Sequence, residues 1–188
     1  MDNQQLINLI IEKLNIIDDI KLLEYIYTKV ISMTEYQTLV LCHGKKHRKI
    51  KGLKGRAVYV DPSKKVEADV QDIFPSESFT KKYGHVIFND ALLMGCPFNV
   101  MVYSRENFTL KPDFWVNLNK SIKKKGKVYI YWACDILRNN PVKLTIESIK
   151  NNVSLYGFKY DKCTKSPYIR VNEFLNDKAH ILIKINEV

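Results

Sequence analysis

Asp61 closes a short apolar run, Ala57 to Val60, and Pro62 follows it at once. Proline cannot donate to a sheet ladder, so a strand ending there leaves a carboxylate at its C-terminal end. Open α/β sheets bind ligands at that edge, where such an acid accepts hydrogen bonds from ribose hydroxyls. Asp-Pro also opens turns, so Asp61 reads as a turn residue as well. Two more carboxylates follow in Ala68-Asp69-Val70-Gln71-Asp72-Ile73. Upstream, Leu39-Val40-Leu41-Cys42-His43-Gly44 is an apolar run meeting a glycine, which permits a tight turn or a close backbone approach. Asn89 and Asp90 form a third polar pair, read as the end of a strand spanning Tyr83 to Asp90. There Asp90 could orient or deprotonate an amine or hydroxyl, with Asn89 donating beside it, or it could cap a helix.

The elements that must carry these residues can be read in outline. Short apolar runs buried on both faces suit strands at 38–41, 57–60 and 83–90. Lys127 to Ala133 gives a fourth strand, with Tyr131 and Trp132 either bordering the ligand edge or simply filling core. Connectors between the strands suggest a parallel sheet with helical crossovers. Pro112 can open a helix whose stripe is Phe114, Trp115, Leu118 and Ile122. Lys123 to Lys125 would then suit its C-terminal dipole, and Gly126 its cap. A further helix, Leu144 to Tyr156, ends at Gly157. Strands at 158–163 and 180–185 follow, joined without a long helix and therefore expected to be antiparallel.

Taken in order, strand-glycine, strand-acid, Ala-Asp-Val-x-Asp-Ile, strand-Asn-Asp, helix-Lys-Lys-Gly and strand, the residues resemble a class I S-adenosylmethionine-dependent methyltransferase. The resemblance covers residues 36 to 188. It implies a Rossmann-like fold: a mostly parallel central sheet, helices on both faces and an antiparallel last strand. It implies S-adenosylmethionine as cofactor, with Gly44 under the methionine part, Asp61 on the ribose and Asp72 on the adenine. Asn89 and Asp90 would border the methyl acceptor. The family's first loop has several glycines and an acid before them. Here Gly44 stands alone after Cys42 and His43, and Lys45, Lys46, His47, Arg48 and Lys49 follow. That basic loop would hold the cofactor carboxylate or, in a fold that no longer catalyses, bind phosphate.

Charge points the same way. The chain has 188 residues, 30 Lys and Arg against 20 Asp and Glu, and a net charge of +10. Such a surplus favours a polyanionic partner. Lys45, Lys46, Arg48, Lys49 and Lys51 form one cluster, with no acid among them, and are the expected contacts to RNA or DNA. Lys123 to Lys127 forms a second. Residues 3 to 33 place Leu6, Ile10, Ile11, Leu14, Leu22, Leu23, Ile26 and Val30 at helical spacing. We expect residues 1–35 to be a helical extension that packs on the 36–188 domain or meets a protein partner. Its polar face is mixed in charge, which disfavours a membrane-surface role.

Cys42, Cys96, Cys134 and Cys163 are widely spaced, as expected of four reduced thiols. Cys42, His43 and His47 lack the second ligand pair of a structural zinc site, so no metal is expected. No basic signal flank opens the chain, and its apolar runs are shorter than a membrane span, so a cytoplasmic protein without membrane contact is expected.

Overall fold

The computed structural model describes residues 22, 24, 25, 36–42, 50–53, 55–94, 102–104, 109–131, 140–170 and 178–188. The expected N-terminal extension, residues 1–35, lies outside them apart from Leu22, Glu24 and Tyr25. The chain order is β1 (Tyr36–Leu41), β2 (Ile50–Lys51), β3 (Arg56–Val60), α1 (Glu77–Tyr83), β4 (Phe88–Leu93), β5 (Tyr103–Ser104) and β6 (Thr109–Leu110). It continues through α2 (Pro112–Ser121), β7 (Ile122–Ile130), α3 (Asn140–Asn152), a 3-10 turn (Val153–Tyr156), β8 (Phe158–Lys165), β9 (Ile169–Arg170) and β10 (Lys178–Lys184).

Six strands form one sheet in the order β3-β1-β4-β7-β10-β8. The first four are mutually parallel. β10 enters antiparallel between β7 and β8, as expected for two strands joined without a crossover helix. This mostly parallel mixed α/β sheet is compatible with a Rossmann-like fold. Residues of alternating parity feed two cores. Leu39, Leu41, Val58, Val60, Ala91, Leu93, Val128 and Ile130 face α1, α2 and α3, meeting Phe79, Phe114, Trp115, Leu118, Ile146 and Ile149. Val40, Leu92, Tyr129 and Ile181 face the other way, toward Ile50, Leu53 and Tyr168.

The described residues differ from the expectation of helices on both faces. α1, α2 and α3 share one face, while the other is covered by the short antiparallel ladder of β2 with β9 and by Tyr168. On that face Tyr168 presents its ring edge-on to Tyr129, with centroids 5.1 Å apart.

Two boundaries also move. Tyr83, expected in a strand, ends α1, whose N-cap is Ser76, its Oγ accepting from Phe79 N at 3.2 Å. The i, i+4 pair Phe79 and Tyr83 is buried, so tertiary packing settles this segment as helix. β4 therefore starts at Phe88, and Asn89 and Asp90 lie at its beginning rather than its end. The second change is at α2, which stops at Ser121 instead of continuing to Gly126. Lys184 Nζ donates to the carbonyls of Asn119 at 2.8 Å and Ile122 at 2.7 Å, and these captured carbonyls end the helix. Gly157 does close its segment as expected, with φ +73° after the 3-10 turn.

Replacing Lys184 with Met should remove both ammonium hydrogen bonds, and the Asn119 carbonyl would keep only the backbone N–H of Ile122. The chain should lose about 1–3 kcal/mol of stability in urea unfolding, the cost of a buried acceptor stripped of its donor. A midpoint equal to that of the parent would show that the ammonium is not what holds this junction. Gly126→Ala should also destabilise, because an added Cβ would collide with the Asn89 carbonyl oxygen and lie 2.5 Å from Ile122 Cγ2. Overpacking of this kind costs about 1–3 kcal/mol.

Candidate functional site

At the C-terminal edge of the parallel strands, β3 ends at Val60 and Asp61 is buried, with 4% of its surface exposed. Its Oδ1 accepts from Ser63 N at 2.9 Å, the turn that an Asp followed by Pro favours. Both sequence readings of Asp61 therefore hold together: it opens a turn and stands at a strand end. The chain then doubles back. Val70 forms a parallel bridge with Val60, Asp61 N donates to Val70 O at 3.1 Å, and Asp69 Oδ2 accepts from Tyr59 N at 2.8 Å. Because this return segment runs parallel to β3, Gln71 and Asp72 emerge at the edge where Asp61 stands. Asp72 is half-buried, and its Oδ1 accepts from Ile73 N at 2.8 Å.

Cys42 N donates to Val60 O at 2.8 Å, so β1 ends directly beside Asp61. Cys42 corrects the expectation of four reduced thiols. It is disulfide-bonded, whereas Cys163 is an exposed thiol outside any disulfide. Gly44, Lys45, Lys46, Arg48 and Lys49 lie outside the described residues, as do His43, His47 and Trp132. Lys51 is exposed on β2. Among the described residues, no three His, Cys, Asp or Glu side chains cluster as metal ligands, and no helix is long and apolar enough to cross a membrane.

Asn89 and Asp90 occupy the opposite edge. Asp90 is level with Thr38 of β1, while Val60, next to Asp61, is level with Leu41. Four residues along the strands correspond to about 13 Å, and two strands across add about 10 Å. The structure does not bring this pair to Asp61. Instead, Asp90 Oδ1 accepts from Lys127 N at 3.0 Å and Oδ2 accepts from Tyr168 Oη at 2.5 Å. Around them lies an open cleft of about 270 Å³, lined by Gln37, Thr38, Asn89, Asp90, Lys123, Lys125, Gly126, Lys127, Tyr129 and Tyr168.

Sequence reasoning missed Tyr168, whose role depends on an acid 78 positions away. The only nearby signal was Pro167 marking a loop. Tyr131, considered as a ligand-edge residue, is buried, its Oη 2.7 Å from Ser166 Oγ and donating to Tyr168 O at 3.1 Å. It fixes the loop that carries Tyr168.

Burial raises the pKa of both cleft tyrosines, and the Asp90 charge raises each further. The Tyr168 phenol is pushed well above its ordinary range by burial first and then by its hydrogen bond to Asp90. Tyr129 is pushed up to about 12 by burial and then by Asp90. The cleft floor therefore stays neutral and donating over the physiological range.

No family model matches the sequence, and no curated protein matches it.

Alkaline titration should expose the two phenols. An unfolded tyrosine loses its proton near 10, whereas folded Tyr129 keeps it to about 12. Between those values the unfolded chain binds fewer protons, so stability should fall as pH rises through the window. Followed by tyrosinate absorbance, part of the signal from the eleven tyrosines should appear only as the protein unfolds. Tyr129→Phe should reduce that late fraction. Complete ionisation near pH 10 in a folded protein would contradict the assigned burial.

Proposed function

We propose that the chain is a methyltransferase-like protein that takes up S-adenosylmethionine at the C-terminal edge of β3, β1 and β4 and acts on a nucleic acid. The observation that carries this reading is the return of the chain after β3, which puts Asp61 and Asp72 on one edge beside the end of β1. A carboxylate fixed by its own turn at a strand end suits a vicinal diol, and a second acid on the adjoining loop suits the adenine amine. Gly44 would pass under the methionine part, as the resemblance implies. The order α3, β8, antiparallel β10 is also the way the resembled family closes its sheet.

The cofactor would supply an electrophilic methyl group. The protein's part is then mainly to hold it in line with the acceptor, so that positioning provides much of the rate. Asn89 and Asp90 stand at the other edge, away from Asp61. The same fact favours a second reading, a non-catalytic methyltransferase-like module whose basic residues, including Lys45, Lys46, Arg48, Lys49 and Lys51, bind nucleic acid.

Calorimetric titration with S-adenosylhomocysteine separates the two. The first reading expects saturable binding that Asp61→Asn weakens about tenfold or more, since a hydrogen bond to a charged group contributes about 1.5–3 kcal/mol. An unchanged affinity would remove Asp61 from the site. No uptake by the parent protein would leave the non-catalytic reading standing.

A further inference from the structure

At the start of β7 the ladder with β4 is broken by a large bulge. Phe88 pairs with Ile122 and Asp90 with Lys127, so Asn89 alone stands against Lys123, Lys124, Lys125 and Gly126. Gly126 packs against the Asn89 carbonyl, where no side chain fits. Lys125 sits at φ +65°, a left-handed conformation that glycine or asparagine adopts far more readily than lysine. Bulges re-aim side chains next to functional sites, and backbone strain kept at a charged residue points to use of the charge.

The bulge carries Lys123 and Lys125 to the rim of the cleft, where Lys127 joins them from the regular part of the strand. Among the described residues that line the cleft the one carboxylate, Asp90, already accepts from Lys127 N and Tyr168 Oη. Three lysines therefore line the cleft with this engaged acid, and Gln37, Thr38 and Asn89 add neutral polar groups. The resulting field is cationic.

We propose that the bulge and the cleft beneath it form a binding site for the phosphodiester backbone of a single nucleic-acid strand. The size is suitable. The cleft falls just below the roughly 300–1,000 Å³ common for enclosed small-molecule pockets, and it is open, so it takes one unit of a chain passing through. Exposed cations continue beyond it: Lys124 on the bulge, and Lys51, whose ladder partner Ile169 directly follows Tyr168. Cations available beyond the cleft favour a polymer over a free nucleotide. This site lies on the edge opposite Asp61 and does not depend on cofactor binding.

Anisotropy with labelled oligouridylate and oligothymidylate across a salt series tests it. The parent should bind both, and Lys123→Gln/Lys125→Gln/Lys127→Gln should reduce the log–log salt slope by about 0.7 for each phosphate that is no longer neutralised. Lys125→Gly guards against misfolding as an explanation. It removes the charge and relieves the left-handed strain, so binding should weaken while thermal stability is kept or raised. Equal affinity and slope in the triple variant, or full binding by Lys125→Gly, would overturn the proposal. Displacement by uridine monophosphate or inorganic phosphate at equal phosphate concentration would also overturn it, in favour of a free anion. Strand binding that the triple variant loses, in a protein taking up no S-adenosylhomocysteine, would uphold this site while removing the cofactor reading.

Discussion

The Lys184 ammonium is almost wholly buried, yet it donates to the carbonyls of Asn119 and Ile122 and is met at 2.8 Å by the exposed carboxylate of Glu187. A buried charge is expensive unless paired and hydrogen-bonded, and replacing one with an apolar side chain is often neutral. The trade differs here, because the acceptors are main-chain carbonyls that remain whatever side chain stands at 184. The same junction holds a second polar group. Asn119 Nδ2 donates to the carbonyls of Tyr156 and Asn186, at 2.9 and 2.8 Å. Helix α2, the 3-10 turn and the end of β10 are thereby tied to one point at the start of β7.

That tie explains the bulge. If α2 ran to Gly126, Lys123 to Lys125 would form its last turn and their charges would answer the helix dipole. With the carbonyls of Asn119 and Ile122 held by Lys184, the helix ends at Ser121 and the next residue is already strand. The lysines must then fit between two fixed ladder pairs, Phe88 with Ile122 and Asp90 with Lys127. They are pushed out of the ladder toward the cleft. An interaction in the core of one face thus determines the charge presented at the edge of the other.

How much of this the sequence carried depends on whether its cause was local. The apolar runs at β1 and β3, the left-handed glycine after the 3-10 turn and the antiparallel β10 all follow from neighbouring residues, and all were legible. So was the position of Asp61 at a strand end, since an apolar run, an acid and a proline suffice. The start of β4 was misread because Tyr83 is as good a strand residue as a helix one. Only its packing with Phe79 decides between them. The end of α2 was misread for a similar reason: Lys123 to Lys125 and Gly126 make a sound local helix stop, and Lys184, far along the chain, overrides it. Tyr168 carried no signal, because nothing near it in sequence indicates Asp90.

Tyr168 also links features that looked separate. Its phenol engages Asp90 at the cleft, its ring covers Tyr129, and its carbonyl accepts from Tyr131 near the other end of β7. The residues that follow it, Ile169 and Arg170, pair with Lys51 and Ile50. Lys51 closes the basic cluster that begins at Lys45. The ladder of β2 with β9 therefore ties Lys51 to the residue forming the cleft wall, although Lys51 and Lys127 are far apart in the chain. Charge held on such a packed frame keeps its geometry, whereas the same lysines on free loops would have to be ordered when a ligand binds, at a cost of about 0.5–1.5 kcal/mol for each side chain. Tyr168 thus joins the strand that pairs with Lys51 to the wall of the cleft that Lys123, Lys125 and Lys127 line.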